Sequence, residues 1–146
     1  MNIPGSFVTN FIAAIFIFLF TYTVVSKSLN IPLFIYIIGQ SSWVGNYALV
    51  IAWSVISVEC LAVILLFFPF TRLLGLYLSF AMMSAFTAYI LGMLLTSSDL
   101  PCSCGGVFNE LSWKQHLALN IGLIIIAWMG IRFQISLRNV SSPSTA

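Results

Sequence analysis

Charge is what this sequence has least of. Lys and Arg number five and Asp and Glu three among 146 residues, so charged side chains make up 5% of the chain. A water-soluble domain carries about 25%, and a chain this poor in charge cannot cover a surface facing water. The same scarcity leaves no basic patch, so nucleic acid is not an expected partner. Cysteine is scarce as well: three residues do not make a disulfide framework, and any single bridge leaves one over. Histidine occurs once. Residues 1–10 lack a basic n-region, and no small-residue cleavage site follows the first apolar run. That run therefore reads as a retained span, not as a cleaved signal peptide. No internal repeat is visible, and no stretch leaves room for a soluble domain.

What is present is apolar: 61% of the residues are hydrophobic and the mean hydropathy is +1.11. The apolar residues fall into runs long enough to cross a bilayer as helices. The first is roughly Phe7 to Val25, with Ser6 as a plausible cap and Lys27 at its end. The second is roughly Tyr47 to Phe68, ended by Pro69 and Arg72. The third is roughly Leu73 to Leu95, ended by Thr96, Ser97, Ser98 and Asp99. The fourth opens on Ser112-Trp-Lys-Gln115, a capping-box pattern, and runs to about Phe133. Between the first two runs, Leu29 to Asn46 is apolar only from Ile31 to Ile38 and is broken by Pro32, Gly39 and Gln40. It is too short to span and reads as an interfacial or re-entrant segment, with Tyr36, Trp43 and Tyr47 suited to the headgroup level. The fold class is an all-α membrane protein: a four-transmembrane-helix bundle over residues 1–133, with a short interfacial segment after the first helix. Residues 134–146, which hold Arg138 and a Ser-Ser-Pro-Ser-Thr-Ala end, read as a disordered polar tail.

Orientation rests on the basic residues. In a four-span arrangement Arg72, Arg132 and Arg138 lie on one side, Lys27 and Lys114 on the other. The positive-inside rule then puts both termini in the cytoplasm and the loop between the third and fourth spans outside. Asn139-Val-Ser141 matches a glycosylation pattern, but on this orientation it is cytoplasmic.

Polar chemistry concentrates between Asp99 and Asn120, which holds two of the three cysteines, the histidine, and two of the three acids. Cys102 and Cys104, one residue apart, could close a tight ring; strained and exposed disulfides are the labile and catalytic ones. Pro101 stiffens the approach to Cys102, and Gly105-Gly106 allow a sharp turn whose amides could face a thiolate. An extracytoplasmic loop is also where disulfides persist. His116, one turn inside the fourth helix, is placed to take a proton from a thiol or to stabilise a thiolate; the plainer alternative is an interfacial histidine bonded to headgroups. Asn120 shares its helix face and reads as an interhelical hydrogen-bonding group. Glu59 is the one acid inside a predicted span, about 18 Å from its outer end at 1.5 Å per residue. An intramembrane acid is a functional candidate, set against an interhelical bond that fixes packing, the reading preferred for this residue. Cys60, beside it, reads as a small packed residue. Gly75, Gly92, Ser79 and Ser84 would permit close helix approach.

Pro101-Cys-Ser-Cys-Gly-Gly-Val, followed by Leu111-Ser-Trp113, His116 and Asn120, resembles the MauE/DoxX-like redox-associated membrane proteins. Ser26-Lys27-Ser28-Leu29, Glu59 and Arg72-Leu-Leu-Gly-Leu-Tyr77 fit the same family, and the similarity covers roughly residues 7–133. The resemblance implies a four-helix membrane bundle. It also implies a link to the maturation of a disulfide-rich periplasmic enzyme subunit, hence a thiol–disulfide role and thioredoxin-like partners in a bacterial inner membrane. This chain carries no thioredoxin domain of its own.

Three readings follow. In the first, Cys102 and Cys104 cycle between dithiol and disulfide with an extracytoplasmic partner, His116 moves the proton, and electrons pass to or from a quinone or a second membrane protein. In the second, the protein is a non-catalytic subunit or assembly factor of a larger membrane complex, with Cys102–Cys104 as a fixed bridge. In the third, Cys102, Cys104 and His116 hold a soft metal ion, although a structural zinc site normally needs a fourth ligand.

Overall fold

A computed structural model describes residues 5–40, 44–96 and 113–141. Five α-helices and one 3-10 turn account for almost all of them: α1 (Gly5–Leu29), α2 (Ile31–Gly39), the turn Gly45–Tyr47, α3 (Ala48–Phe67), α4 (Arg72–Thr96) and α5 (Trp113–Ser141). Four stretches, Gly5–Leu29, Gly45–Phe67, Arg72–Gly92 and Gln115–Asn139, are long and apolar enough to cross a membrane. A lipid-embedded backbone must satisfy its own polar groups, and a helix does so within one segment. The expected four-span all-α bundle is therefore the architecture observed. The segment after the first span is a nine-residue helix, too short to cross.

Local chemistry fixes the helix ends. Asn30 leaves helical geometry between α1 and α2, and Pro32 follows in the first turn of α2, where its missing N–H does least harm. Phe68 is extended, as the residue before a proline prefers, and this stops α3. Thr71 then joins the two helices: its hydroxyl donates to the Leu65 carbonyl at 2.9 Å, and its own carbonyl accepts from the Gly75 amide at 3.0 Å. The chain turns straight into α4.

Spanning helices adjacent in the chain pack on one another, and α5 closes the ring against α1. They alternate in direction, as specific contacts show. Lys27 of α1 meets Glu59 of α3, Arg138 of α5 donates to the Phe70 carbonyl just ahead of α4, and Phe86 of α4 meets His116 of α5. One end of the bundle, here the arginine end, gathers Arg72, Arg132 and Arg138. The other, the histidine end, gathers the last turns of α1 and α4 and the first turns of α3 and α5. The main core, Ile12, Ala13, Phe16, Phe20, Ala62, Leu66, Leu76, Met83, Leu123, Ala127 and Ile131, fills the bundle from the arginine end upward. A separate cluster joins Ile38 of α2 to Ala48 and Ala52 of α3. At Gly75 a Cβ would lie 2.9 Å from the Leu66 amide nitrogen, so only glycine lets α3 and α4 approach this closely, as small residues do in membranes. At Gly92 nothing among the described residues lies within 4 Å of where a Cβ would be.

Two expectations change. The fourth span does not stop near Phe133; α5 is helical through Ser141, so residues 134–141 are not a disordered tail. Ile135 packs against the main core, Leu137 covers Gly5, and Arg138 donates to Phe70 at 3.0 Å. These contacts hold the last turns in place. Cys60 is not packed inside; it is a free thiol on the exposed side of α3. Glu59 points inward, and one residue further along a helix turns the side chain about 100° away.

Candidate functional site

The interior near the histidine end carries the polar groups. His116 and Asn120 lie one turn apart on the face of α5 that packs inward, and both are buried. The imidazole meets the Phe86 ring edge to face, with centroids 5.6 Å apart and planes at 72°. That contact shields one side of the ring from lipid and fixes its orientation. Asn120 Nδ2 is buried with no hydrogen-bond partner among the described residues.

Cys102 and Cys104 lie outside the described residues, as does Ser112 of the expected capping box. Trp113 is the first residue of α5, and its side chain is likewise outside the description. What the structure does give is the anchorage of the cysteine segment. The chain leaves α4 at Thr96 and returns at Trp113, both at the histidine end, three positions before His116.

Glu59 has a partner that the sequence reading did not assign. Lys27, expected as an outer-loop charge ending the first span, is instead part of α1 and buried. Its ammonium donates to Glu59 Oε1 across the α1–α3 interface and lies 5.4 Å from the centre of the Phe34 ring of α2. An ammonium over an aromatic face is attracted by the ring quadrupole. The long lysine stem explains how a residue near the end of α1 reaches a carboxylate within the bundle. The signal was present: an acid inside a span calls for a cation, and Lys27 is followed by more apolar helix, not by a polar loop. Glu59 Oε2 has no hydrogen-bond partner among the described residues. The Thr23 hydroxyl, close enough to interact with the carboxylate, donates to the Phe20 carbonyl at 3.0 Å.

Lys27–Glu59 and His116–Asn120 are thus two polar sets at the same half of the bundle, one on α1 and α3, the other on α5. The first is a charge pair that ties helices together; the second is an imidazole held beside the root of the cysteine segment.

Residues 5–133 match the family model described as "Methylamine utilisation protein MauE". No curated protein matches the chain, and no solved structure matches it.

Proposed function

The chain belongs to the methylamine utilisation protein MauE family, and from that premise we propose that it is a membrane-embedded thiol–disulfide redox protein supporting the maturation of exported proteins. Cys102 and Cys104 are the exchanging pair, and an extracytoplasmic thioredoxin-like or exported protein is the partner. The observation that carries this reading is the buried His116, three positions after the cysteine segment rejoins the bundle. In the oxidising direction, a partner thiolate attacks one sulfur of the Cys102–Cys104 disulfide, forming a mixed disulfide and releasing the other sulfur as a thiolate. The partner's second thiolate then attacks the mixed disulfide. The partner leaves oxidised, and the Cys102–Cys104 pair is left as a dithiol. His116 exchanges the proton that converts thiol to thiolate. A quinone or a second membrane protein takes the two electrons and two protons when the dithiol is reoxidised.

The same reading places both termini in the cytoplasm and the cysteine segment outside, in the periplasm of a bacterial inner membrane. Arg72, Arg132 and Arg138 share the end assigned to the cytoplasm. Lys27 is paired with Glu59, which lowers its weight on the outer side and widens the positive-inside margin.

The first test is trapping. With Cys102→Ser or Cys104→Ser, the remaining thiolate should attack a partner's disulfide, releasing the partner's other sulfur, and with no second cysteine to free it should hold the partner through a reductant-sensitive bond in intact cells. Failure of both single variants to trap any protein would sink the exchange reading. His116→Ala should slow exchange by about a hundredfold, the lower range for a lost acid–base group, while membrane insertion is unchanged.

A second reading, a non-catalytic subunit of a larger envelope complex, draws on the lipid-facing surface: only 28% of each spanning window is buried within the chain. It expects function to survive the double change Cys102→Ser with Cys104→Ser, which the exchange reading expects to abolish it.

A further inference from the structure

The Lys27–Glu59 pair lies where two packing units of the protein meet. The main core joins all four spanning helices. The second cluster contains α2 and the first turns of α3, with Phe34, Ile35 and Ile51 packed around Ile38, Ala48 and Ala52. Between α1 and α2 the chain has a break: Asn30 is at φ −125° and ψ 42°, outside helical geometry, and Pro32 cannot donate a backbone hydrogen bond. At the far end of α2 the chain is pinned. A Cβ at Gly45 would fall 2.5 Å from the Gly39 carbonyl oxygen, so the end of α2 and the turn before α3 are in close contact. One end of α2 is therefore fastened to α3, while the other is joined to α1 by a non-helical residue.

The cation bridges the Asn30 end, where Ile31 also packs on the α3 cluster. Lys27 donates to Glu59 on α3 and sits under Phe34 of α2, so one ammonium contacts both neighbouring helices. The pair is also half satisfied, since Glu59 Oε2 has no hydrogen-bond partner among the described residues. A buried ion pair whose remaining lone pairs are unmet is finely balanced between desolvation cost and attraction. Contacts with that balance can be made and broken.

We propose that Lys27–Glu59 is a latch and α2 a hinged wall of the bundle: with the latch closed α2 lies against α3, and with it open the Asn30 end of α2 swings out and uncovers the ion-pair interior to the bilayer. The device is independent of whether the cysteines exchange. Peptide-resolved amide hydrogen exchange on the full chain in lipid nanodiscs tests it. Lys27→Met and Glu59→Gln should each speed exchange of the amides of residues 33–39 at least about tenfold, most at residues 33–36, with α4 and α5 within about twofold of the unchanged protein. Lys27→Glu combined with Glu59→Lys should bring α2 back to within about threefold. Phe34→Leu, which leaves the pair intact, should give about a threefold rise confined to α2, the size expected from a lost cation–ring contact. Unchanged α2 exchange in the single variants overturns the latch. So does a rise spread equally over all helices, which would make the pair a fastener of the whole bundle. A charge-swapped protein whose α2 exchanges as fast as in the single variants would overturn it too.

Discussion

The two halves of the bundle interior are built on different principles. Toward the arginine end the core is hydrocarbon: Phe16, Phe20, Leu66 and Leu76 are fully buried. Its buried hydroxyls are satisfied by their own helices, Thr9 by the carbonyls of Gly5 and Ser6 and Ser79 by that of Gly75 at 2.8 Å. Toward the histidine end the interior holds Lys27, Glu59, His116 and Asn120, and contacts of the first three reach other helices: Lys27 to Glu59 and His116 to Phe86. In lipid, apolar residues have no solvent to flee, so helices associate through packing and interhelical polar contacts. The arginine-end half uses the first means. The histidine-end half adds the second, with the Lys27–Glu59 pair tying α1 to α3.

The contrast can be broken most sharply at the ion pair. Glu59→Leu strands a buried ammonium and should lower stability by about 3–5 kcal/mol, read as a shift in denaturant midpoint in mild detergent. Adding Lys27→Met should recover most of that loss, because removing both charges removes the penalty; no recovery would mean that Glu59 acts through shape. Phe16→Ala attacks the other half. It should cost about 3 kcal/mol through the cavity it leaves and should not change the rate at which Cys102 or Cys104 traps a partner. A slowed trapping rate would show that the halves are coupled. The smallest effect belongs to Asn120→Leu. Replacing an amide donor that has no partner among the described residues by an apolar group of similar size should be neutral or stabilising by about 1 kcal/mol. A loss of more than that would reveal a partner for Asn120 contributed by residues outside the described set.

Much of this was legible in the residues. Hydropathy and the breaks at Pro69 and Asp99 located all four spans, and the first three to within a few residues at each end, because a lipid-embedded run must be long and helical. Glu59 stood out as an acid in an apolar run. The identity of its partner did not, since Lys27 lies 32 positions away and a basic residue at the end of an apolar run reads as a stop. Cys60 was misread for a related reason. A helix that is apolar on every side gives no periodic cue to which face is inside, so Glu59 was the sole marker of direction on that part of α3. The length of α5 was hidden because Gln134, Ser136 and Arg138 look like tail composition; tertiary contacts at Gly5 and Phe70 overrode it. The cysteine motif remains a matter of sequence and family alone, with Cys102 and Cys104 outside the described residues.

The ion pair also bears on how the protein reaches the membrane. α1 emerges from the ribosome before α3, so for a time Lys27 has no carboxylate to meet. Near the end of a lone helix Lys27 can snorkel, at less than the roughly 2.5–3.5 kcal/mol that insertion scales give a charge at the centre, and Glu59, near the middle of α3, brings close to that full cost when α3 arrives. Entering the bilayer together as a hairpin cancels both. Nascent chains halted before Glu59 should therefore leave α1 more readily extracted by alkali than chains halted after α3, and a Glu59→Gln chain should lose part of that gain. Seen this way, Lys27–Glu59 is a checkpoint of biogenesis: it commits the first half of the protein to the membrane before α5 and the cysteines have been translated.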